Sequence, residues 1–553
     1  MPRTLRPCAR PVALAAALAL PGLFLAGCKT KTDGPSAAST AAAAPVPLYT
    51  DLGALHHAVT ASPEARKYFD QGLRLTYAFN HDEAIASFKE GARLDPNCAM
   101  CWWGVALDLG PNINLPMDPR AEPEAWAAVQ KAQALAPKVT PAERDYIAAV
   151  ARRYANQPEK RAALDSAYAD AMRALAAKYP DDLDAATLSG EALMDLQPWN
   201  YWTVGGKPKG AILEIVATLE RVLAREPNHP GACHYYIHAV ESSLEPEKAL
   251  PCADRLAQLM PGAGHLVHMP AHVYMRVGRY DLAVQHNQHA AAEDATFIER
   301  RHPGGVYPMI YTPHNYHFLW SALTMMGRET EAIEAARQVE SHVPVEMVRQ
   351  IPPLEYFTPT LLYGLARFGR WDDVLAQPKP EAELRYTTGM WHYTRGLAWS
   401  ATGKPADARA ELDSLEAIMA ATPADAMANL NSVKSLFAIA ERHLAADLAA
   451  RAGHTDAAVK LLREAVALED DLTYDEPPAW YLPMRQVLGN TLLAAGRAKE
   501  AEAAFREDLK HNRENGWSLH GLATALAKQG RKKEAAAIAD RFNAVWAEAD
   551  YRL

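Results

Sequence analysis

The sequence predicts an all-α protein, a right-handed α-solenoid of stacked helical hairpins. Three observations predict it. Apolar positions recur at helical spacing from about residue 63 onward, with Gly and Pro gathered between the periodic stretches. No alternating strand pattern appears. A short pattern, a glycine followed five places later by a small or branched residue, returns at Gly278, Gly327, Gly369, Gly403, Gly453, Gly496 and Gly530. One such hairpin cannot bury its apolar face alone and must stack on a neighbour, and 553 residues exceed a single core.

The chain begins MPRTLRPCAR, then PVALAAALALPGLFLAGC: a basic start, a short apolar run and small residues, which is the layout of an export signal over 1–27. Its last four residues, Leu25 to Cys28, resemble the lipobox of bacterial lipoproteins. The resemblance implies that Cys28 carries lipid and becomes the mature N-terminus, anchoring an exported protein to the bacterial cell envelope. Lys29 after the cysteine implies the outer membrane, facing the periplasm, if the envelope is Gram-negative. Residues 28–62 read as this lipidated N-terminus and a flexible tether, since 29–47 lack large apolar groups.

Beyond the tether, 63–200, 201–345 and 346–553 read as successive blocks of hairpins. In YFDQGLRLTYAFNHDEAIASFKEGARLDPN, the spacing of Gly72, Ala84, Phe88 and Pro96 resembles the tetratricopeptide repeat (TPR), a 34-residue helix-turn-helix unit. That resemblance covers nearly all of the mature chain and implies architecture only, since this fold hosts many functions. Two interruptions, 108–119 and 194–210, exceed ordinary repeat turns. Trp199, Tyr201 and Trp202 in the second either fold over the groove or fill a gap between irregular repeats.

Eleven of the twenty histidines lie within 229–317, and their register matters more than their number. Counted back from the small residue opening each second helix, His234, His268 and His317 lie fifteen before Ala249, Ala283 and Ala332. His238 and His272 lie eleven before Ala249 and Ala283, and His265 and His314 lie eighteen before Ala283 and Ala332. At about 100° per residue these offsets share one helix face, apart from the packing positions, and in repeats like these that face lines the concave groove. Glu241 belongs to the same face. Glu191 lies eleven after Pro180, as His238 does after Pro227, and is a candidate carboxylate neighbour. His229, His286, His289 and His302 fall outside these slots and read as surface or turn residues.

Neutral imidazoles converging from three hairpins suit a transition metal. The candidate ligands are His234, His238, His265, His268, His272, His314 and His317, with Glu191 and Glu241. Copper leads, given Met269, Met275 and Met309 close by; iron or zinc would suit the carboxylates. An open coordination position would activate dioxygen or water, and Tyr307, Tyr311 and Tyr316 either orient a substrate or pack at a hairpin start. No HExxH, CxxCH, phosphate-binding glycine loop or GxSxG appears, so the motifs name no catalytic residue.

Cys98 and Cys101 open a helix as a structural disulfide, two buried small residues or a redox pair; Cys233 and Cys252, at facing slots of one hairpin, are expected to form a disulfide. With 57 basic against 66 acidic residues, a net charge of −9 and no long basic run, the chain lacks a nucleic-acid footprint. Two functions follow. One is a lipid-anchored metalloprotein, a metal-dependent oxidoreductase or metal-handling factor. The other is a non-catalytic scaffold that binds a peptide or protein partner in its concave groove.

Overall fold

The computed structural model describes residues 46–155, 161–301 and 307–553, and Val46–Leu553 forms one compact unit. The signal segment, Cys28 and His302 lie outside the described residues. Helices dominate, and the strands among the described residues are two residues each, Met427–Ala428 against Asn431–Ser432. The architecture is an α-solenoid of helical hairpins, each packed on the next along the chain.

The first hairpin shows how residue choice sets the stacking. Helix Pro63–Tyr77 starts on Ser62, whose side chain accepts from the Ala65 amide, with Pro63 occupying a position that needs no N–H. Helix His81–Leu94 returns against it, and Phe88 seats its ring on Gly72 and on Gly104 of the next helix; a Cβ at either glycine would stand 2.6 Å from that ring. The small residues admit the large one, so three helices close-pack. Further along, all seven turn glycines adopt left-handed φ values, from 68 to 84°, a region where a side chain strains the backbone.

The histidine block comprises Pro230–Val240 with Leu250–Leu259, then Gly264–His268 and Pro270–Val277 with Tyr280–Arg301, then Thr312–Met325 with Glu329–His342. Pro270 has no N–H to donate, and it divides the middle first helix just after His268.

The described N-terminal stretch and the C-terminal hairpins both contact this block. The expected tether extends to residue 62, but the structure docks its described part, 46–62, on the repeats. Gly262 donates its amide to the Asp51 carbonyl at 2.9 Å, Tyr49 donates to Glu83 at 2.8 Å, and Thr60 donates to Glu143 at 2.7 Å. Side chains scattered along this stretch thus find polar partners that its composition alone does not reveal.

From the other end, the helices Ala498–His511 and Gly516–Lys528 reach the central turns. Tyr280 donates to the Arg513 carbonyl and Trp517 to the Thr324 carbonyl, each at 2.8 Å. The last helix, Lys532–Val545, and the tail behind it close on Gly327, where Tyr551 donates its amide to the glycine carbonyl. The ladder face is therefore internal.

Candidate metal centre

Because residues four apart on a helix share a face, His234 and His238 project together from Pro230–Val240, and His268 and His272 project together across the Pro270 break. Each pair is completed from the next hairpin. His234, His238 and His265 bring one nitrogen each to within 4.8 Å of one another, and so do His268, His272 and His314. A third group, His238, Glu241, His272 and Glu476, joins the two sets. His234, His238, His265, His268 and His272 are at most 2% exposed.

The hydrogen-bond partners decide which nitrogen is free. His234 Nδ1 donates to the Tyr77 carbonyl at 2.7 Å, which leaves Nε2 with its lone pair. His268 Nδ1 donates to Asn287 Oδ1 at 2.6 Å, and the amide is oriented by its own Nδ2 donating to the Ala283 carbonyl at 2.7 Å. His238 and His272 give their Nδ1 protons to the two oxygens of Glu241, at 2.8 and 2.6 Å. Four Nε2 atoms are thereby directed inward. His265 and His234 bring their Nε2 atoms to 3.1 Å, and His268 and His272 to 2.7 Å. Two lone pairs at such distances repel unless a cation lies between them, either a proton or a metal. Ligands about 2.0–2.1 Å from a tetrahedral ion stand roughly 3.3 Å apart, close to the first of these spacings. Among the described residues, His238 Nε2 and His265 Nδ1 are buried without a hydrogen-bond partner.

Electrostatics sort the imidazoles. Burial and the neighbouring imidazoles hold His234, His265, His268 and His314 well below the ordinary histidine range, and push His238 down to about 3. Neutral imidazole is the ligating form. His272 is the exception: burial opposes its charge, but Glu476 and Glu241 outweigh this and raise it to about 10. Without metal, its proton is shared toward His268 Nε2, and an ion must displace it. Burial and Glu241 lift Glu476 to about 7, against the pull of His272.

Two strained residues frame the cluster. Phe79 and Trp199 both adopt left-handed backbone, with φ of 53 and 63°, which is costly for bulky side chains. Phe79 sets its ring 4.5 Å from that of His234, and Trp199 meets His238 edge-on at 5.0 Å. The Trp199 indole also donates to the Ile113 carbonyl at 2.8 Å, so the two long interruptions meet beside the site. Tyr311 packs on His265, Tyr307 donates to Asp294, and half-buried Tyr316 lies against His342.

Several sequence expectations end differently. Glu191 does not join the cluster; it faces Asp195 and the Arg153 guanidinium, a stronger electrostatic partner. His317 is buried in an aromatic box, stacked on Trp320 beside Tyr356 and Phe357, where burial pushes it down to about 3. His229 is not a surface residue: it caps its helix through the Ala232 amide and approaches Asp184 at 3.3 Å. That aspartate also accepts from Tyr77 and His57, at 2.6 and 2.8 Å; against the effect of burial, His229 and His57 hold it below the usual carboxylate range, and the group acts as a clasp between segments. His286 is half-buried and donates to the Val267 carbonyl, while His289 is exposed. Cys98 and Cys101 are disulfide-bonded. Cys233 and Cys252 are free thiols, not the expected bridge; Cys233 Sγ donates to the Pro227 carbonyl at 3.7 Å, and its hydrogen bond with Cys252, together with burial, pushes its ionisation up.

Glu476, Asn287 and Phe79 escape sequence reasoning. Glu476 comes from a C-terminal loop whose only local signal is its length between helices ending at Asp470 and starting at Met484. Asn287 lies on the second helix of its hairpin, at a position the slot count does not reach.

No family model matches the chain, and no curated protein matches it. Similar solved structures include human IFIT1 with m7Gppp-AAAA, at 12% identity over 88% of this chain and 91% of that one, with a TM-score of 0.35. The Cut9–Hcn1 assembly of APC/C is similar at 12% identity over 87% and 73%, TM-score 0.30, and yeast Tom70 at 12% over 85% and 90%, TM-score 0.29. At these values the likeness is one of repeated helical hairpins and says nothing of the buried cluster.

Proposed function

We propose that this chain is a metal-binding repeat protein that holds transition metal inside its solenoid, anchored in a bacterial envelope through Cys28. One observation carries the reading: the Nε2 atoms of His234, His238, His268 and His272 converge from neighbouring hairpins while carbonyl, amide and carboxylate partners occupy their Nδ1 atoms. Such partners fix the tautomer and raise ligand basicity. Because Glu241 and Glu476 engage Nδ1 of the imidazoles, the inner ligands are all nitrogen, which favours copper, with zinc second and iron third.

The ligands belong to three hairpins under a C-terminal arm, so release requires the arm to open. This favours a resident ion, as in a metal-dependent oxidoreductase, over cargo in transit. A peptide on the outside of the solenoid does not reach imidazoles this deeply buried, so the alternative reading, a partner-binding scaffold, rests on the repeat surface away from the cluster.

The test is elemental analysis of the full chain purified from membranes of an expressing bacterium, beside a His268→Ala, His272→Ala variant. Stoichiometric copper that the variant loses while keeping its helicity supports the proposal. A metal-free wild-type protein after copper supplementation rejects it.

A further inference from the structure

We propose that the cluster holds two metal ions side by side, one in each three-histidine set, and that only the second is open to a small exogenous ligand. The proposal rests on the metal-binding reading and adds the number and inequality of the ions.

The repeat itself counts the sites. Each set takes the slots fifteen and eleven before the second-helix start of one hairpin, and the slot eighteen before that of the next. His234, His238 and His265 fill them once; His268, His272 and His314 fill them again one hairpin later. One repeat earlier the same slots hold Thr187, Glu191 and Gly231, and one repeat later Ser321 stands beside His317. Two sets are complete and their neighbours are not. This explains why Glu191 and His317 stay out despite their register.

Each set also has its own aromatic wall. Phe79 stands by His234 and His265, and Phe318 lies stacked on His272 at 4.6 Å and edge-on to His268 at 4.8 Å. Three imidazoles per ion leave a coordination position for another ligand. Between the sets, rings of His238 and His272 are 5.4 Å apart, and Glu241 ties them together with one oxygen each.

The surroundings make the two sets unequal. The first is enclosed by Phe79, Trp199 and Tyr311. Beside the second is a cavity of about 40 Å³ that His272, Met275, Phe318, Tyr474 and Glu476 line, roofed by His511 and Asn512 of the C-terminal arm. A water needs roughly 10–15 Å³ by this measure, so the space suits a ligand of two or three heavy atoms.

The test loads the full chain with Cu(II), removes excess ion, counts copper per chain, and titrates azide while following charge-transfer absorption. Beside it run two double variants, His234→Ala with His265→Ala and His268→Ala with His314→Ala. The expected result is two ions in the wild type and one in each variant, with azide shifting the spectrum only where the second set is intact. One ion in the wild type, lost in either variant, overturns the pair. An azide response from the protein retaining only the first set overturns the inequality. No bound ion in the wild type overturns the metal reading itself. If an alanine variant loses helicity, glutamine at the same positions keeps the side-chain volume, and the same ion counts decide.

Discussion

Glu476 stands 2.5 Å from Nδ1 of His272, bringing a carboxylate from a C-terminal loop to an imidazole of the central block. Both groups are buried, and the loop lines one cavity together with His511 and Asn512 of the C-terminal arm. The cluster is therefore completed by a residue about 200 positions further along the chain.

Glu476→Gln removes this charge while keeping the shape. Outer partners of ligating histidines are worth about 10- to 100-fold in metal affinity, and a loss of that size is expected by chelator competition. Circular dichroism should be unchanged. A loss below about twofold would place Glu476 outside the metal's influence.

Metal should stabilise the fold, because the preformed ligand set exists only in the native state. A free ion at about 100 times its dissociation constant adds about 2.7 kcal/mol, read as a rise in Tm. The His268→Ala, His272→Ala variant should show no such rise.

The metal-free protein should weaken in acid because of lowered histidines both in the cluster and outside it, and the pair outside it is separable by mutation. Burial lowers His81 to about 4, with Asp108 opposing and Arg153 assisting, and lowers His443 to about 4 beside Tyr393 and against Asp447. Their folded values lie below the unfolded value of about 6.5, so the unfolded chain binds more protons between these limits. These two groups contribute stability that is complete above about pH 6.5 and is lost as pH drops toward 4. Denaturant titrations at several pH values measure this, and His443→Gln should flatten the slope.

Gly278→Ala tests the docking of the arm. Its φ is 79°, and an added Cβ would meet the Arg513 carbonyl oxygen at 2.5 Å. Gly403 shares that φ but has open space around it, so Gly403→Ala isolates the backbone term, about 1–2 kcal/mol. Gly278→Ala should cost more by urea denaturation and speed hydrogen exchange around 511–517. Equal costs would show that the turn and the arm are energetically independent.

Repeat architecture was legible because each hairpin prints its own signature. Apolar spacing marks the helices, and Gly278 to Gly530 mark turns that only a residue tolerant of positive φ closes cheaply. The ladder was legible for the same reason, since equal slots in equal hairpins face the same way. Glu191 shows the limit of that logic. It has the register of a ligand, but Arg153 lies within reach and a slot count cannot see it. The docked stretch 46–62 and the unbridged thiols Cys233 and Cys252 are further cases where distant partners, not local pattern, decided the outcome.

The sequence by itself determined the helices, their turns and the face on which the imidazoles lie, because those depend on residues a few positions apart. Only the tertiary structure decided that the face is sealed, that Glu476, Asn287 and Phe79 attend it, and that the imidazoles divide into two sets. Those outcomes come from contacts of the stretch 46–62 and of the C-terminal hairpins with the middle, where long-range packing and charge neutralisation outweigh anything encoded within a single hairpin.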